Sequence, residues 1–144
     1  MYENNTGSEK DIPPPGEGMS HGSYTSSITN SSETKGFGIG KGILEFNGPS
    51  PSSEEFNAFF AKGTVGFQTE NNKNGIVLGW LNAGEYWSSD LGDQTGSSFT
   101  IDEVSENIFG MIIKASFTCK LYNADGTKSI TVKNGEYVGQ FNND

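Results

Sequence analysis

The side chains that could do chemistry in this chain are mostly carboxylates, with 18 Asp and Glu against nine basic residues, one histidine and one cysteine. His21 and Cys119 are far apart in sequence, and His21 lies in a polar stretch. No Ser/His/Asp or Cys/His relay can therefore be assembled, and zinc or iron, which require clustered Cys and His, find no ligand set. Cys119 falls on the apolar face of a strand pattern, with no base or cation placed to lower its pKa, and reads as a small packing residue.

The carboxylates form short clusters: Glu54 with Glu55, Asp90 with Asp93, Asp102 with Glu103, and Asp125 beside Asn123. Hard oxygen ligands of this kind hold Ca²⁺, and Asp90, Asp93 and Asp125 are the candidate positions, although none matches an EF-hand loop and Asp-rich segments also make ordinary turns. No spacing sets two carboxylates across a cleft as glycoside hydrolysis requires. A second candidate set is aromatic. Tyr86 and Trp87 are adjacent and would point to opposite faces of a strand, while Tyr122 and Tyr137 fall where exposure is expected. Rings with a polar tip suit contact with sugar or protein, so Tyr86, Trp87 and Tyr122 form a candidate ligand-binding set.

Net charge is −9, every basic residue is lysine, and arginine is absent. Nucleic acid is not an expected partner, because phosphate binding draws on a basic field and on the guanidinium fork. No apolar run reaches the ~18 residues of a membrane helix, and no signal-peptide pattern opens the chain. Either the protein is cytosolic as synthesised, or Met1 replaces a removed leader, with a lipid anchor then expected on the native precursor.

The elements that must position these residues are strands. From Phe109 one face reads Phe109, Met111, Ile113, Ala115, Phe117, Cys119 and Leu121 while the other is largely polar, the period of a half-buried antiparallel strand. Strands around Thr64–Thr69, Ile76–Leu81, Tyr86–Trp87, Phe99–Val104 and Thr127–Phe141 complete a series, with turns at 105–107 and at Asp125-Gly126. Asn134-Gly135 marks a further turn or a bulge. Gly36, Gly38, Gly40 and Gly42 recur at every second position, leaving one face bare for another backbone, an aromatic ring or an edge. Leu44 and Phe46 would continue on that bare face, which predicts a bulge near Gly42. The spacing is not that of a phosphate-binding loop.

One helix is predicted at about 51–61, with Ser52 and Glu55 as a capping box, Pro51 at its start and Lys62-Gly63 as its stop. Its Phe56, Phe59 and Phe60 share one face and would plug an open end of the sheet. The expected fold is an all-β, antiparallel β-sandwich or small barrel of about eight strands with this one helix. Residues 1–33, polar and carrying Pro13, Pro14 and Pro15, are expected to be a flexible arm, with 34–144 as a single β domain.

The succession GIVLGWLNAGEYWSSD, followed by GSSFTIDEVSENIFGMIIKASFTCKLYNADGTKSITVKNGEYVGQF, resembles an uncharacterised family of exported β-sandwich domains of Bacteroidetes-type bacteria, often lipoproteins, over about residues 75–141. The resemblance implies export to the periplasm, outer surface or extracellular space, and it implies no known activity. Three roles are expected in order. The first is a non-enzymatic, surface-tethered module with a binding or adhesion role toward a protein or glycan. The second, fitting a native Met1, is a structural subunit of a filament, capsid or other assembly, homo-oligomeric through the arm. The third is a glycan or small-ligand binder using Tyr86, Trp87 and Tyr122. No cofactor is implied beyond the calcium candidate.

Overall fold

The computed structural model describes residues 2–144 as nine strands and one helix: β1 (Tyr2–Asp11), β2 (Ser20–Asn30), β3 (Lys35–Phe46), α1 (Ser53–Phe59), β4 (Gly63–Thr64), β5 (Gly75–Asn82), β6 (Glu85–Ser88), β7 (Ser98–Glu106), β8 (Gly110–Asn123) and β9 (Ser129–Asn142). Every ladder between them is antiparallel. Strands β1, β2, β3, β5 and β6 lie side by side in that order, and β4, β7, β8 and β9 form a second group. The groups join where Trp87 and Ser88 of β6 pair with Asn123 and Tyr122 at the end of β8. The sheet stays open between β1 and β9, where side chains bridge the gap instead of a ladder: Asn142 donates to Thr6, Ser8 to Asp144, and the Ser26 and Tyr137 hydroxyls lie 3.1 Å apart. The all-β class is as expected, with one strand more.

Strand β8 carries the core because both of its edges are paired, to β7 on one side and β9 on the other. Its alternating Met111, Ile113, Ala115, Phe117, Cys119 and Leu121 are all buried. The inward series begins at Met111, two residues later than predicted. The turn runs from Asn107 to Gly110, with the Asn107 side-chain Oδ1 accepting from the Phe109 and Gly110 amides, so Phe109 is left 61% exposed at the tip. On β9 the register slips by one residue between Phe117 and Cys119, with Asn134 at φ 54°. Asn134-Gly135 is thus a bulge, and the slip between β2 and β3 at Gly22/Tyr24 places the other bulge at Gly42–Ile43, as expected.

Helix α1 is shorter than predicted: its N-terminal signals hold, but it ends at Phe59 with Phe60 as its cap, before the expected Lys62-Gly63 stop. The Ser52 hydroxyl accepts from the Glu55 amide and the Glu55 carboxylate from the Ser52 amide, while Glu54 and Glu55 complement the positive end of the helix. Its buried Phe56, together with Phe60 at its C-terminal cap, meets Tyr24 edge to face and Phe141 at 4.6 Å, closing one end of the open barrel. The segment 64–69 contributes only the two-residue β4 and isolated bridges at Phe67 and Thr69.

The largest correction concerns residues 1–33. Instead of a flexible arm, residues 2–30 form the β1–β2 hairpin, paired without interruption from Tyr2–Asn30 to Asp11–His21, and the three prolines fall in its connection. Strand β2 also supplies the fully buried Tyr24. Small polar side chains hid it from hydrophobic patterning: Ser20 and Ser26 are buried, satisfied by Gly48 O at 2.6 Å and the Tyr137 hydroxyl. Tyr137, expected at the surface, is buried for the same contact.

One inward position is charged. Lys41 stands in register between Tyr24 and Ile76, is 8% exposed, and donates from Nζ to Phe59 O at 2.7 Å. Burial pushes its ammonium down from 10.5 to about 8.

Tyr24→Ala should lower stability by about 3–5 kcal/mol, the range for emptying an aromatic core site, and removal of residues 1–33 should abolish cooperative urea unfolding. If the truncated chain unfolds cooperatively with an unchanged midpoint, the hairpin is not part of the fold. For Lys41 the folded state binds fewer protons than the unfolded chain between pH 8 and 10.5, so stability from this group rises with pH across that window. Burial raises Cys119 to about 11, and burial followed by Asp144 raises Tyr24 to about 12, which work the other way above their ordinary values. Because Lys41→Met leaves both in place, the stability difference between wild type and variant isolates Lys41 and should move in favour of wild type from pH 8 to 9.5. A difference flat with pH would contradict the burial of Lys41.

Candidate functional site

The outward face of β2, β3 and β5 is almost bare. Alternation sends Tyr24, Ile39 and Leu78 inward and leaves Thr25, Ser27 and Thr29 of β2, Gly36, Gly38 and Gly40 of β3, and Val77, Gly79 and Leu81 of β5 outward. Because β3 contributes only glycines between two strands that carry side chains, a groove of about 360 Å³ runs over its backbone. The hydroxyls of β2 form one bank, and Val77, Leu81 and the ring of Tyr86 form the other. Beyond the Thr25–Gly40–Val77 row the groove continues into a depression of about 380 Å³ bordered by Glu9, Asp11, His21 and Lys73. His21 there lies 3.5 Å from Glu45.

Tyr86 is placed by a specific contact. A Cβ on Gly79 would stand 2.5 Å from its hydroxyl oxygen and 3.0 Å from Cζ, so the outer edge of the ring rests on the Gly79 backbone. The residue is 52% exposed, its other side turned to solvent. Trp87 points the opposite way, as adjacent strand residues must, and packs at 6.1 Å from Trp80 against the core. Of the three aromatic candidates, only Tyr86 therefore borders the groove. Tyr122 is spent on a loop: its ring covers Gly92, where a Cβ would meet ring carbons at 2.4–2.6 Å, and its hydroxyl donates to Asp93 O.

The calcium candidates do not converge. Among the described residues no group of three or more acidic, His or Cys side chains is arranged to hold a metal. Asp90 accepts from the Ser88 hydroxyl at 2.5 Å and lies 3.7 Å from Lys73. Asp93 accepts from Thr95 at 2.9 Å. Asp125 closes its hairpin by accepting from the Thr127 hydroxyl at 2.6 Å and amide at 3.0 Å, which hold its carboxyl below the ordinary range. The residue that organises the 90–97 loop is Gln94, which carries no charge signal in the sequence. Its amide donates to Ser89 O and Lys120 O at 2.7 and 2.6 Å, and its oxygen accepts from the Lys120 amide at 3.0 Å. A neutral amide fastens this loop to β8.

Set against family models, curated proteins and solved structures, the chain matches none. The seating of Tyr122 is open to measurement. Tyr122→Phe should cost about 0.5–1.5 kcal/mol for one lost hydrogen bond, whereas Gly92→Ala, by forcing a methyl into the ring, should cost about 1–3 kcal/mol. If urea denaturation shows Gly92→Ala neutral, the ring does not sit on Gly92.

Proposed function

We propose that this protein is a non-enzymatic binding module that takes an extended oligosaccharide along the glycine-floored groove. The observation that carries the reading is the combination of a tyrosine ring resting on Gly79 with its other side open, a bare backbone floor, and a facing row of Ser and Thr hydroxyls. A sugar ring has apolar C–H faces and a polar rim, so it can lie on Tyr86 and on the glycine backbone while its hydroxyls meet Thr25, Ser27 and Thr29. A groove that continues past Thr25, Gly40 and Val77 into a second depression suits a chain better than a single sugar.

The resemblance of residues 75–141 to exported β-sandwich domains supports a setting at the cell surface, where such polymers are met. The tether in this reading is a lipid anchor on the precursor; no helix among the described residues is long and apolar enough to cross a membrane. The assembly alternative draws on the unpaired outer edge of β1. Against a homo-oligomer built there, two-fold pairing of β1 with a second copy sets Glu3 opposite Glu9 or opposite Asp11 on the outward face, and like charges across a ladder repel.

The test is titration with a panel of soluble cello-, xylo-, manno- and chito-oligosaccharides by calorimetry. At least one should bind, with Tyr86→Ala weakening it about tenfold or more, equal to ~1.4 kcal/mol, and Gly38→Val blocking the floor. Absence of binding across the panel, or equal binding by both variants, rejects the proposal.

A further inference from the structure

The mouth of the open barrel, on the other face of the sheet from the groove, holds a second depression with an unusual lining. It measures about 510 Å³ and lies between the C-terminal end of α1, β4 and the 66–75 segment. Lys41, Lys62, Asn72 and Asn74 line it, and no Asp or Glu does. In a chain of net charge −9 with only nine basic residues, a cavity that gathers two lysines and excludes every carboxylate is a local inversion of the overall field.

The hydrogen bonds sharpen this. The Asn72 oxygen accepts from the Asn74 amide at 3.0 Å, and the Asn74 oxygen accepts from the Ile43 amide at 3.1 Å. With both oxygens committed, each side chain is left presenting its NH₂ group, for which no acceptor is found among the described residues. Lys41 has three N–H donors. One goes to Phe59 O, and Nζ stands 3.5 Å from the Phe59 ring centroid. The ion pairs among the described residues are His21–Glu45 and Lys73–Asp90, so no carboxylate neutralises Lys41 or Lys62. The lining therefore offers donors and positive charge, with Phe59, Val65 and Phe67 as its apolar part.

We infer that this mouth binds an organic carboxylate, its head group meeting Lys41, Lys62 and the Asn72 and Asn74 amides and its hydrocarbon part lying on Phe59, Val65 and Phe67. A buried ammonium without a counter-ion destabilises the fold that holds it. An anion arriving from solution supplies the missing partner, which explains an inward lysine among the apolar side chains of Tyr24, Ile39, Ile76 and Leu78. The site shares no lining residue with the part of the groove that Tyr86 borders, and Lys41 also reaches the depression at the groove's far end.

The experiment follows the Lys41 and Lys62 side-chain signals of the full chain by ¹³C NMR during titration with hexanoate, with hexanol and sodium sulfate as parallel arms. Hexanoate should shift both lysines saturably and raise the pH at which Lys41 titrates, since an anion favours the ammonium. Hexanol and sulfate should each act at least about tenfold more weakly, a gap of ~1.4 kcal/mol, and Lys41→Met should lose hexanoate binding by a similar factor. Hexanol matching hexanoate would reveal only an apolar pocket, and sulfate matching it would reveal only a site for any anion. Either result overturns the inference, as does hexanoate that leaves the wild-type lysine signals unmoved or binds Lys41→Met equally well. The wild-type titration decides the matter even if Lys41→Met does not fold.

Discussion

A glycine beneath an aromatic ring is the contact on which much of this structure rests. The Phe117 ring lies where a Cβ on Gly135 would stand at 2.3 Å, Tyr122 does the same over Gly92, Tyr86 over Gly79, and Tyr137 over Gly139. In each case the missing side chain lets a ring cover backbone that would otherwise be left bare in a strand or loop. Phe117 so seated stacks between Phe37 and Phe99 at 5.7 and 5.9 Å, which ties β3 to β7 through the interior. Tyr122 fastens the 90–97 loop. Tyr86 keeps one side of its ring outward at the groove. With hydrophobic residues at 32% of the chain, aromatic area laid on glycine supplies burial that a richer aliphatic core would otherwise provide.

The same economy shapes the two faces of the sheet formed by β1, β2, β3, β5 and β6. Where β3 turns Phe37 and Ile39 inward, its outward positions are glycine, so the core and the groove are two consequences of one alternating stretch of sequence. Lys41 interrupts the inward series at the place where α1 ends and the barrel is open. There its aliphatic stem lies among core side chains and its ammonium finds the helix's terminal carbonyl at Phe59 and the Phe59 ring. Two concave regions thus lie on opposite sides of one strand, one neutral and one positive, in a molecule whose surface is otherwise strongly acidic.

Period-two alternation in β8, the capping box at Ser52 and Glu55, the Asp125-Gly126 hairpin, the bulge at Gly42 and an irregularity at Asn134-Gly135, either turn or bulge, were all legible from local pattern, because each depends on neighbours within a few residues. The hairpin of β1 and β2 was not. Apart from Tyr24 its buried residues are Ser20, Gly22 and Ser26, and a buried serine announces itself only when its partner, Gly48 O for Ser20 or the Tyr137 hydroxyl for Ser26, is brought from elsewhere. Gln94 was invisible for the same reason: its three principal partners lie on Ser89 and Lys120.

Sequence by itself determined the all-β class, the helix with its N-terminal capping box and the opposite facing of Tyr86 and Trp87, since these follow from backbone geometry and short-range chemistry. Tertiary structure alone decided which rings are free. Tyr122 and Tyr137 look as exposed as Tyr86 until the chain folds Gly92 under one and Ser26 against the other. It also decided that Asp90, Asp93 and Asp125 serve separate turns, and that Lys41 points into the barrel. Strand alternation says which residues share a face, but which face is covered depends on how distant strands pair, and that pairing is a property of the whole sheet.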